Sequence, residues 1–356
     1  MMRCKKFFLF ILLVTVFLFP VILAPSSAAV FAQSVEQNNE ADVLFKEGCS
    51  LIAQKKYSEA TKVLERVVEL NSKKRGAYTN LSWMYLELGR YQDAATTARK
   101  EIANYPESSM AHNNLGFALT QLGKYDEALI ELQKAVALDT RNTKAHINLG
   151  NAFNGLGRYT ETVSAYEFLT ESNPDYAQGY ASLASAAMMS GQHEKALKAN
   201  QTYVKLKPED VVAHNMLGAA YMNAGKFAEG ATAFEKAATL RPDDVTSLRN
   251  FGKALAMSGQ HERAIDIFKR IAVLKPNDFD TYFDLGMSSS IAKKFTEAVA
   301  YFEQAVNLKP DSVPAIFSLA TSYLTVGNRE AALEKHKILK ELDSVAAEKL
   351  LERINR

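Results

Sequence analysis

The 356-residue chain has only two cysteines, one tryptophan and almost no excess of charge of either sign. Two cysteines cannot build the disulfide framework on which small secreted domains depend. Cys4 lies in the N-terminal leader described below, so a processed chain would keep only Cys49 and could form no intramolecular disulfide. With 47% hydrophobic and 23% charged residues, the composition excludes a disordered or collagen-like chain and predicts a globular protein.

The near balance of charge also restricts the partners. Three of the 42 basic residues, Arg3, Lys5 and Lys6, precede the first acid, Glu36, so the rest of the chain has 39 basic residues against 40 acidic ones. Nucleic-acid binding usually requires a basic surplus. Nucleic acid is therefore not an expected partner.

Motifs for catalysis and metal binding are missing as well. The glycines between Gly150 and Gly157 follow a predicted helix rather than a strand, which is the wrong context for a dinucleotide fingerprint. There is no phosphate-binding loop and no nucleophile elbow. The histidines do not have the spacing of metal ligands. We expect no catalytic residues, no metal and no cofactor.

Residues 1–32 read as an export leader. A basic start precedes an apolar run from Phe7 to Ala24, and the small-residue stretch after it ends in Ala32. This pattern predicts cleavage before Gln33. The run is also close to the length that spans a bilayer, so an uncleaved anchor at residues 7–24 is the alternative. Either outcome places the chain outside the cytoplasm, in the periplasm or the extracellular space, and the membrane is involved only if the leader is retained.

After a short polar linker at residues 33–40, the sequence repeats with a period of 34 residues and no insertion, from Ala41 to Ala346. Position 1 of the first repeat is Ala41, and all positions below use this register. The nine predicted repeats are 41–74, 75–108, 109–142, 143–176, 177–210, 211–244, 245–278, 279–312 and 313–346.

Glycine and proline occupy fixed places in this period. Six glycines stand at position 8 and seven at position 15, where close helix packing and a helix end are expected. Proline stands at position 32 in six repeats and ends the second helix. In six cases position 34, the last of the repeat, is a residue that can cap the first helix of the next repeat: Ser108, Asn142, Asp210, Asp244, Asp278 and Ser312.

The pattern resembles the tetratricopeptide repeat family, which combines Leu and Gly at positions 7 and 8, a small residue at 20, an aromatic at 24 and Pro at 32. The sixth repeat shows it with Leu217, Gly218, Gly230, Phe234 and Pro242. The resemblance implies an all-α, right-handed solenoid of nine helix-turn-helix units, in which the first helices line a concave groove. Residues 347–356 are expected to form a C-terminal capping helix.

Helical periodicity places positions 4, 7, 8 and 11 of each first helix on the packing side, and positions 2, 5, 6, 9, 12 and 13 on the opposite side. The second set is the predicted binding surface. At position 6, a run of asparagines could bond an extended peptide backbone, although Asn is also common there in such repeats. The predicted groove residues are Asn80, Trp83, Asn114, Phe117, Asn148, Asn151, Met188, Met222, Asn250, Lys253, Met257 and Met287.

Two further groups in this set have alternative explanations. Trp83 and Phe117, both at position 9, are either anchors for a partner side chain or partly buried packing residues. The methionines of the fifth to eighth repeats form either an adaptable apolar site or ordinary core filling.

The acid at position 18 or 19 of every repeat lies in the first turn of a second helix. A negative charge there interacts favourably with the positive end of the helix dipole, so we expect a structural role for these acids.

These observations predict a noncatalytic scaffold that binds a protein or peptide in the concave groove outside the cytoplasm. The alternative is a structural assembly factor that docks through its outer surface or its ends into an envelope secretion, pilus or polysaccharide-export complex. The repeats leave no room for a catalytic domain. The sequence does not indicate an oligomeric state.

Overall fold

The computed structural model describes the backbone of residues 27–356 and the side chains of residues 31–356. The predicted anchor at residues 7–24 lies outside this range. The described residues form nineteen α-helices and no strand, so the expectation of an all-α fold is confirmed. None of the helices between residues 27 and 356 combines the length and the hydropathy that a bilayer crossing requires.

The helices follow one another as antiparallel pairs, and one extra helix closes the C-terminus. The first helices of the pairs are α1 (Ser27–Ala53), α3 (Ala77–Glu87), α5 (Ser109–Gln121), α7 (Thr143–Gly155), α9 (Ala177–Met189), α11 (Val211–Asn223), α13 (Val245–Met257), α15 (Phe279–Ile291) and α17 (Val313–Thr325). The second helices are α2 (Tyr57–Leu70), α4 (Tyr91–Asn104), α6 (Tyr125–Leu138), α8 (Tyr159–Ser172), α10 (His193–Leu206), α12 (Phe227–Leu240), α14 (His261–Leu274), α16 (Phe295–Leu308) and α18 (Arg329–Leu342). The last helix is α19 (Ser344–Ile354).

The chain divides into two compact bodies, an N-terminal body that ends at Tyr105 and a C-terminal body, Pro106–Arg356. Within each body, every helix packs on its partner in the pair and on the next pair along the chain. This is the stacking of an α-solenoid, in which each repeat buries its apolar face against its neighbours. The handedness of the solenoid stays a prediction.

From the third repeat on, the first helix begins at the first residue of the predicted repeat. Side-chain caps account for most of these starts. The side chains of Ser108, Asn142 and Asp244 each accept a hydrogen bond from the backbone N–H three residues later. Ser312 makes no such bond, and Pro314 lies in the first turn of α17 instead.

The first two repeats begin differently from the rest. Residues 33–40, for which the composition predicts a linker, continue α1 as a helix, and the side chains of residues 31–40 are all exposed. Gln and Glu, which make up half of this segment, are good helix formers, and the segment has no Pro or Gly to stop the helix. In the second repeat, α3 starts at Ala77 because Gly76 takes a left-handed conformation (φ +79°).

The core of each body lies between the first and second helices. The α12 to α15 region is an example, with Leu248, Phe251, Phe268 and Ile271 all almost completely buried. Gly252, at position 8, lets α13 approach α14, since a Cβ at this residue would lie 2.6 Å from Cε1 of Phe268. A methyl group there would force the ring out of its place.

The last helix covers the end of the array. Leu350 and Ile354 are buried against Ile316 and Leu339 of the last pair. Leu351, which the sequence pattern places on the same side, is 37% exposed. Asp343 caps α19 by accepting hydrogen bonds from two backbone N–H groups.

Candidate interaction surface

The side of the first helices that faces away from the core separates into exposed and partly buried rows. We call positions 2, 5, 6, 9, 12 and 13 of α5, α7, α9, α11, α13, α15 and α17 the first-helix face of the C-terminal body. Positions 2 and 13 are exposed in all seven helices, and position 9 is exposed in five. Positions 5, 6 and 12 are partly or fully buried except at Asn154.

Two of the predicted groove residues, Asn80 and Trp83, belong to the N-terminal body. Both are partly buried on α3. The Nδ2 of Asn80 lies 3.5 Å from Sγ of Cys49, and the Nε1 of Trp83 donates to Oε1 of Glu87 at 2.8 Å. Both polar groups are therefore engaged within the body.

The position-6 asparagines of the C-terminal body are less open than the sequence suggests. Asn114 is only 6% exposed, and its Oδ1 lies 3.4 Å from Nδ2 of Asn113. Asn148 donates from Nδ2 to Oδ1 of Asn113 at 2.8 Å. These carboxamides bond one another between repeats, so Asn114 has almost no surface to offer a peptide.

Position 9 offers more accessible groups. Asn151 is exposed, and its Oδ1 accepts a hydrogen bond from the hydroxyl of Tyr166 at 2.8 Å, which leaves its N–H groups open. Lys253 is exposed on α13, whereas Phe117 is partly buried.

The methionines divide into two groups. Met188 packs against the core cluster around Leu183, and Met222 packs against the cluster around Phe251, so both act as core filling. Met257 and Met287 are 57% and 41% exposed. Met189, at position 13 of α9, is 59% exposed as well. The exposed methionines are candidates for contact with a partner.

Very few charges lie on this face. The face comprises six positions on each of seven helices, and only five of its residues are charged: Lys144, Arg249, Lys253, Asp280 and Asp284. Four of these five lie on two successive first helices, α13 and α15. Interface cores in proteins are similarly depleted of charge and enriched in Met.

The charged group on α13 and α15 is incompletely paired. The Nη2 of Arg249 donates to Oδ2 of Asp278 at 2.9 Å, while Nη1 is buried without a hydrogen-bond partner. The Oδ2 of Asp284 is likewise buried without a partner. Burial raises the pKa of Asp284, and the nearby cations Lys253 and Arg249 offset this only in part.

The pKa of Asp278 moves in the opposite direction. Burial would raise it, but hydrogen bonds from Thr281 and Arg249 outweigh burial and lower the pKa of this carboxyl. Asn250, between Arg249 and Lys253, is partly buried. Asn215, on α11, donates to Oγ of Ser247 at 2.8 Å, and the Oδ1 of Asn215 is buried without a partner.

The histidines at position 4 lie on the predicted packing side, and their rings also form hydrogen bonds to the backbone that the sequence did not reveal. In His112, His146 and His214, Nε2–H donates to the backbone carbonyl six residues earlier, at 2.8 to 3.1 Å. All three rings are buried. Burial lowers the pKa of His146 despite its bond to Thr140, so the neutral ring is favoured.

In four of the nine repeats, the acid at position 18 or 19 forms an ion pair with the residue three positions before it. Asp93 bonds Arg90, and Glu161 bonds Arg158, in each case three residues earlier and at 2.7 Å. Within residues 31–356, no three His, Cys, Asp or Glu side chains are grouped so that they could hold a metal ion.

Comparison with known proteins identifies the repeat. Two family models described as tetratricopeptide repeat match the chain, one at residues 45–109, 85–143, 147–211 and 215–279 and the other at 279–312. Together they cover more than half of the chain. No curated protein matches it.

Several solved structures are similar to parts of the chain at low sequence identity. The crystal structure of YrrB, described as a TPR protein with an unusual peptide-binding site, is 17% identical, with a TM-score of 0.47 over 52% of this chain and 95% of that one. MamA (residues 41 to the end) from Desulfovibrio magneticus RS-1 is 21% identical, with a TM-score of 0.45 over 48% and 96%. Naa15/Naa10 bound to HypK-THB is 14% identical, with a TM-score of 0.46 over 85% and 64%.

The repeat matches, the helix pairs and the period of 34 residues agree with one another. Proteins built from this repeat typically act as noncatalytic scaffolds for protein or peptide partners. The chain belongs to the tetratricopeptide repeat family.

Proposed function

We propose that the chain is a noncatalytic scaffold outside the cytoplasm, and that its C-terminal body binds a largely uncharged segment of a partner protein along the first-helix face. The observation that carries this proposal is the scarcity of charge on a face whose positions 2, 9 and 13 are open to solvent. In a chain that is 23% charged, a solvated face without function would carry more charge.

The chemistry of the exposed rows supports such a ligand. Asn151, Asn154 and Asn223 are exposed and can both donate to and accept from a peptide backbone. Met189, Met257 and Met287 supply flexible apolar surface. The proposed site is thus shifted from the buried and partly buried position-6 asparagines to positions 9 and 13, together with Asn154 at position 12.

The location outside the cytoplasm rests on the leader at residues 1–32. N-terminal sequencing of the mature protein tests this part of the proposal, since a start at Gln33 indicates cleavage and an intact N-terminus indicates retention of residues 7–24.

Site-directed photo-crosslinking in the native host tests the proposed surface. A photoreactive residue replaces Met189, Met257 or Ile291, which are all at position 13, and in a control it replaces Val273 on α14, which is 80% exposed. We expect a common cross-linked partner from the position-13 sites and none from Val273. A second substitution, Met287→Glu, should reduce that product about tenfold, because it places a charge in an apolar contact.

Cross-linking of the same partner from Val273 would contradict the proposed surface and would favour docking through the outer side of the array. An unchanged yield with Met287→Glu would also contradict it. Met287 is exposed, so this substitution leaves the core intact.

A further inference from the structure

We infer that the part of the first-helix face on α13 and α15 selects a partner segment in which one basic side chain stands beside apolar side chains. This inference rests on the proposed function and adds the chemistry of the ligand. It follows from three features of these two helices: an exposed apolar group, an excess of carboxylates and a carboxylate oxygen that has no partner.

The apolar group lies in the C-terminal halves of the two helices. Met257 ends α13 and is 57% exposed, and Met287 and Ile291 lie one turn apart on α15, at 41% and 55% exposed. Residues four apart on a helix share one side, so Met287 and Ile291 form a continuous apolar strip. Such a strip suits an aliphatic or aromatic side chain of the partner.

The carboxylates lie in the N-terminal half of α15 and at its cap. Asp278, Asp280 and Asp284 face two cations, Arg249 and Lys253. Arg249 is bound to Asp278 at 2.9 Å, and both Arg249 and Lys253 act on Asp284, so the three carboxylates outnumber the two cations. Asp280 is exposed, and its side chain forms no ion pair or hydrogen bond with any residue from 31 to 356.

Asp284 is the residue that a ligand would relieve. It lies one turn after Asp280, so both carboxylates point to the same side of α15. Its Oδ2 is buried and without a hydrogen-bond partner, and burial holds its pKa above the usual range in spite of Lys253 and Arg249. An added cation beside the two carboxylates would compensate the buried charge, whereas an added anion would increase the repulsion.

The orientation of a bound segment follows from the order of these groups along α15. A basic side chain would pair with the exposed Asp280, close to the charge of Asp284, and the apolar side chains next to it would lie on Met287, Ile291 and Met257. The segment would therefore run along the helix, with one charged and one apolar contact region about one to two turns apart.

Binding of three labelled peptides to the full chain, purified in mild detergent, tests the inference. The peptides share an acetylated frame of Ser-Gly-X-Leu-Ala-Leu-Gly-Ser with a C-terminal fluorophore, and X is Lys, Gln or Glu. Fluorescence anisotropy should show that the Lys peptide binds about two- to fivefold tighter than the Gln peptide, the range for one partly exposed ion pair, and that the Glu peptide binds weakest.

The double variant Asp280→Asn and Asp284→Asn should abolish the preference for Lys over Gln. The matched control is Asp243→Asn with Asp266→Asn, which removes two exposed carboxylates that lie outside the first-helix face. It should keep the preference. Circular dichroism spectra and melting temperatures of both variants are compared with those of the wild type to check that the fold is retained.

Equal binding of the Lys and Gln peptides, tighter binding of the Glu peptide, or a preference that survives the double variant would each overturn the inference. If the Gln peptide binds and Met287→Glu weakens it, while no charge preference is seen, the proposed function stands and only the inference fails. If none of the three peptides binds, the inference is also overturned, and the cross-linking result decides the proposed function separately.

Discussion

At the scale of single residues, the mid-repeat turn shows how one backbone conformation determines which residue is favoured. Position 15 has a positive φ in all nine repeats. In seven of them the residue is glycine, with φ from 70° to 84°. In the first and eighth repeats it is Lys55 and Lys293, with φ of 59° and 60°. A side chain in this left-handed region costs about 1–2 kcal/mol, so these two turns are strained.

Replacement of Lys293 by glycine should therefore stabilise the eighth repeat. Lys293 is exposed, so no packing is lost. We expect Lys293→Gly to raise the free energy of unfolding by about 0.5–1 kcal/mol, after the entropic cost of glycine is subtracted. Thermal unfolding followed by circular dichroism measures the change. The reverse substitution in the neighbouring turn, Gly259→Lys, should be destabilising, and two changes of the same sign would refute the argument.

Single residues also show where sequence-based prediction of the site reached its limit. The register correctly placed His112, His146 and His214 among the packing residues, because position 4 depends only on helical periodicity. The bond between Asn113 and Asn148, and the pair between Arg249 and Asp278, depend on the spacing of adjacent helices and on side-chain rotamers. A one-dimensional pattern contains neither, so the burial of Asn114 and the buried, unpartnered Oδ2 of Asp284 emerged only from the structure.

At the scale of the helix, most boundaries could be predicted because the caps recur in phase with the repeat. α13 is an example, since Asp244 accepts a hydrogen bond from the backbone N–H of Ser247 at 3.0 Å. The exceptions are the start of α3, where Gly76 donates its backbone N–H to the buried Glu101 of α4 at 3.0 Å, and the extension of α1. The start of α3 could not be predicted because Glu101 is 25 residues away from Gly76. The extension of α1 was missed because the polar composition of residues 33–40 suggested a linker, although the segment contains good helix formers.

Removal of the cap of α13 should have a cost that depends on pH. Asp244→Ala is expected to destabilise the protein by about 1 kcal/mol at pH 7. Hydrogen bonds from Ser247 lower the pKa of Asp244 in spite of burial. The stabilisation is therefore present above the unfolded pKa, about 3.9, and is lost as the pH falls through the folded value.

Melting temperatures of the wild type and of Asp244→Ala, compared at pH 7 and at the lowest pH where the fold persists, measure this effect. The difference between the two proteins should narrow in acid. Asp243→Ala, which removes the adjacent exposed carboxylate, serves as the control and should leave the melting temperature nearly unchanged. A gap between wild type and Asp244→Ala that stays constant with pH would show that the carboxylate charge is not the cause.

At the scale of the whole molecule, the solenoid arrangement makes stability a property of neighbouring pairs. Within each body, every helix pair contacts its neighbouring pairs, and the C-terminal end of the array relies on α19 for cover. A defect at one place should thus weaken adjacent repeats and leave distant ones intact.

A charge in the capping helix tests this locality. Leu350 is completely buried against the last helix pair, so Leu350→Asp should detach α19 and expose Ile316 and Leu339. Hydrogen exchange should then accelerate about tenfold or more in α17 and α18, while α2 and α3 of the N-terminal body keep their protection. Leu351→Asp, at the exposed neighbouring residue, is the control. Uniform loss of protection along the chain would instead indicate a single cooperative unit.

The unbroken course of α1 has a consequence for the order of events during biogenesis. The bond between Ala32 and Gln33, the predicted cleavage point, lies inside this helix. Proteases cut backbone that is locally unwound, since a peptide bond held in helical hydrogen bonds does not fit their active sites. If the leader is removed, we therefore expect the cut to come before this segment winds into a helix, or while the segment is transiently unwound.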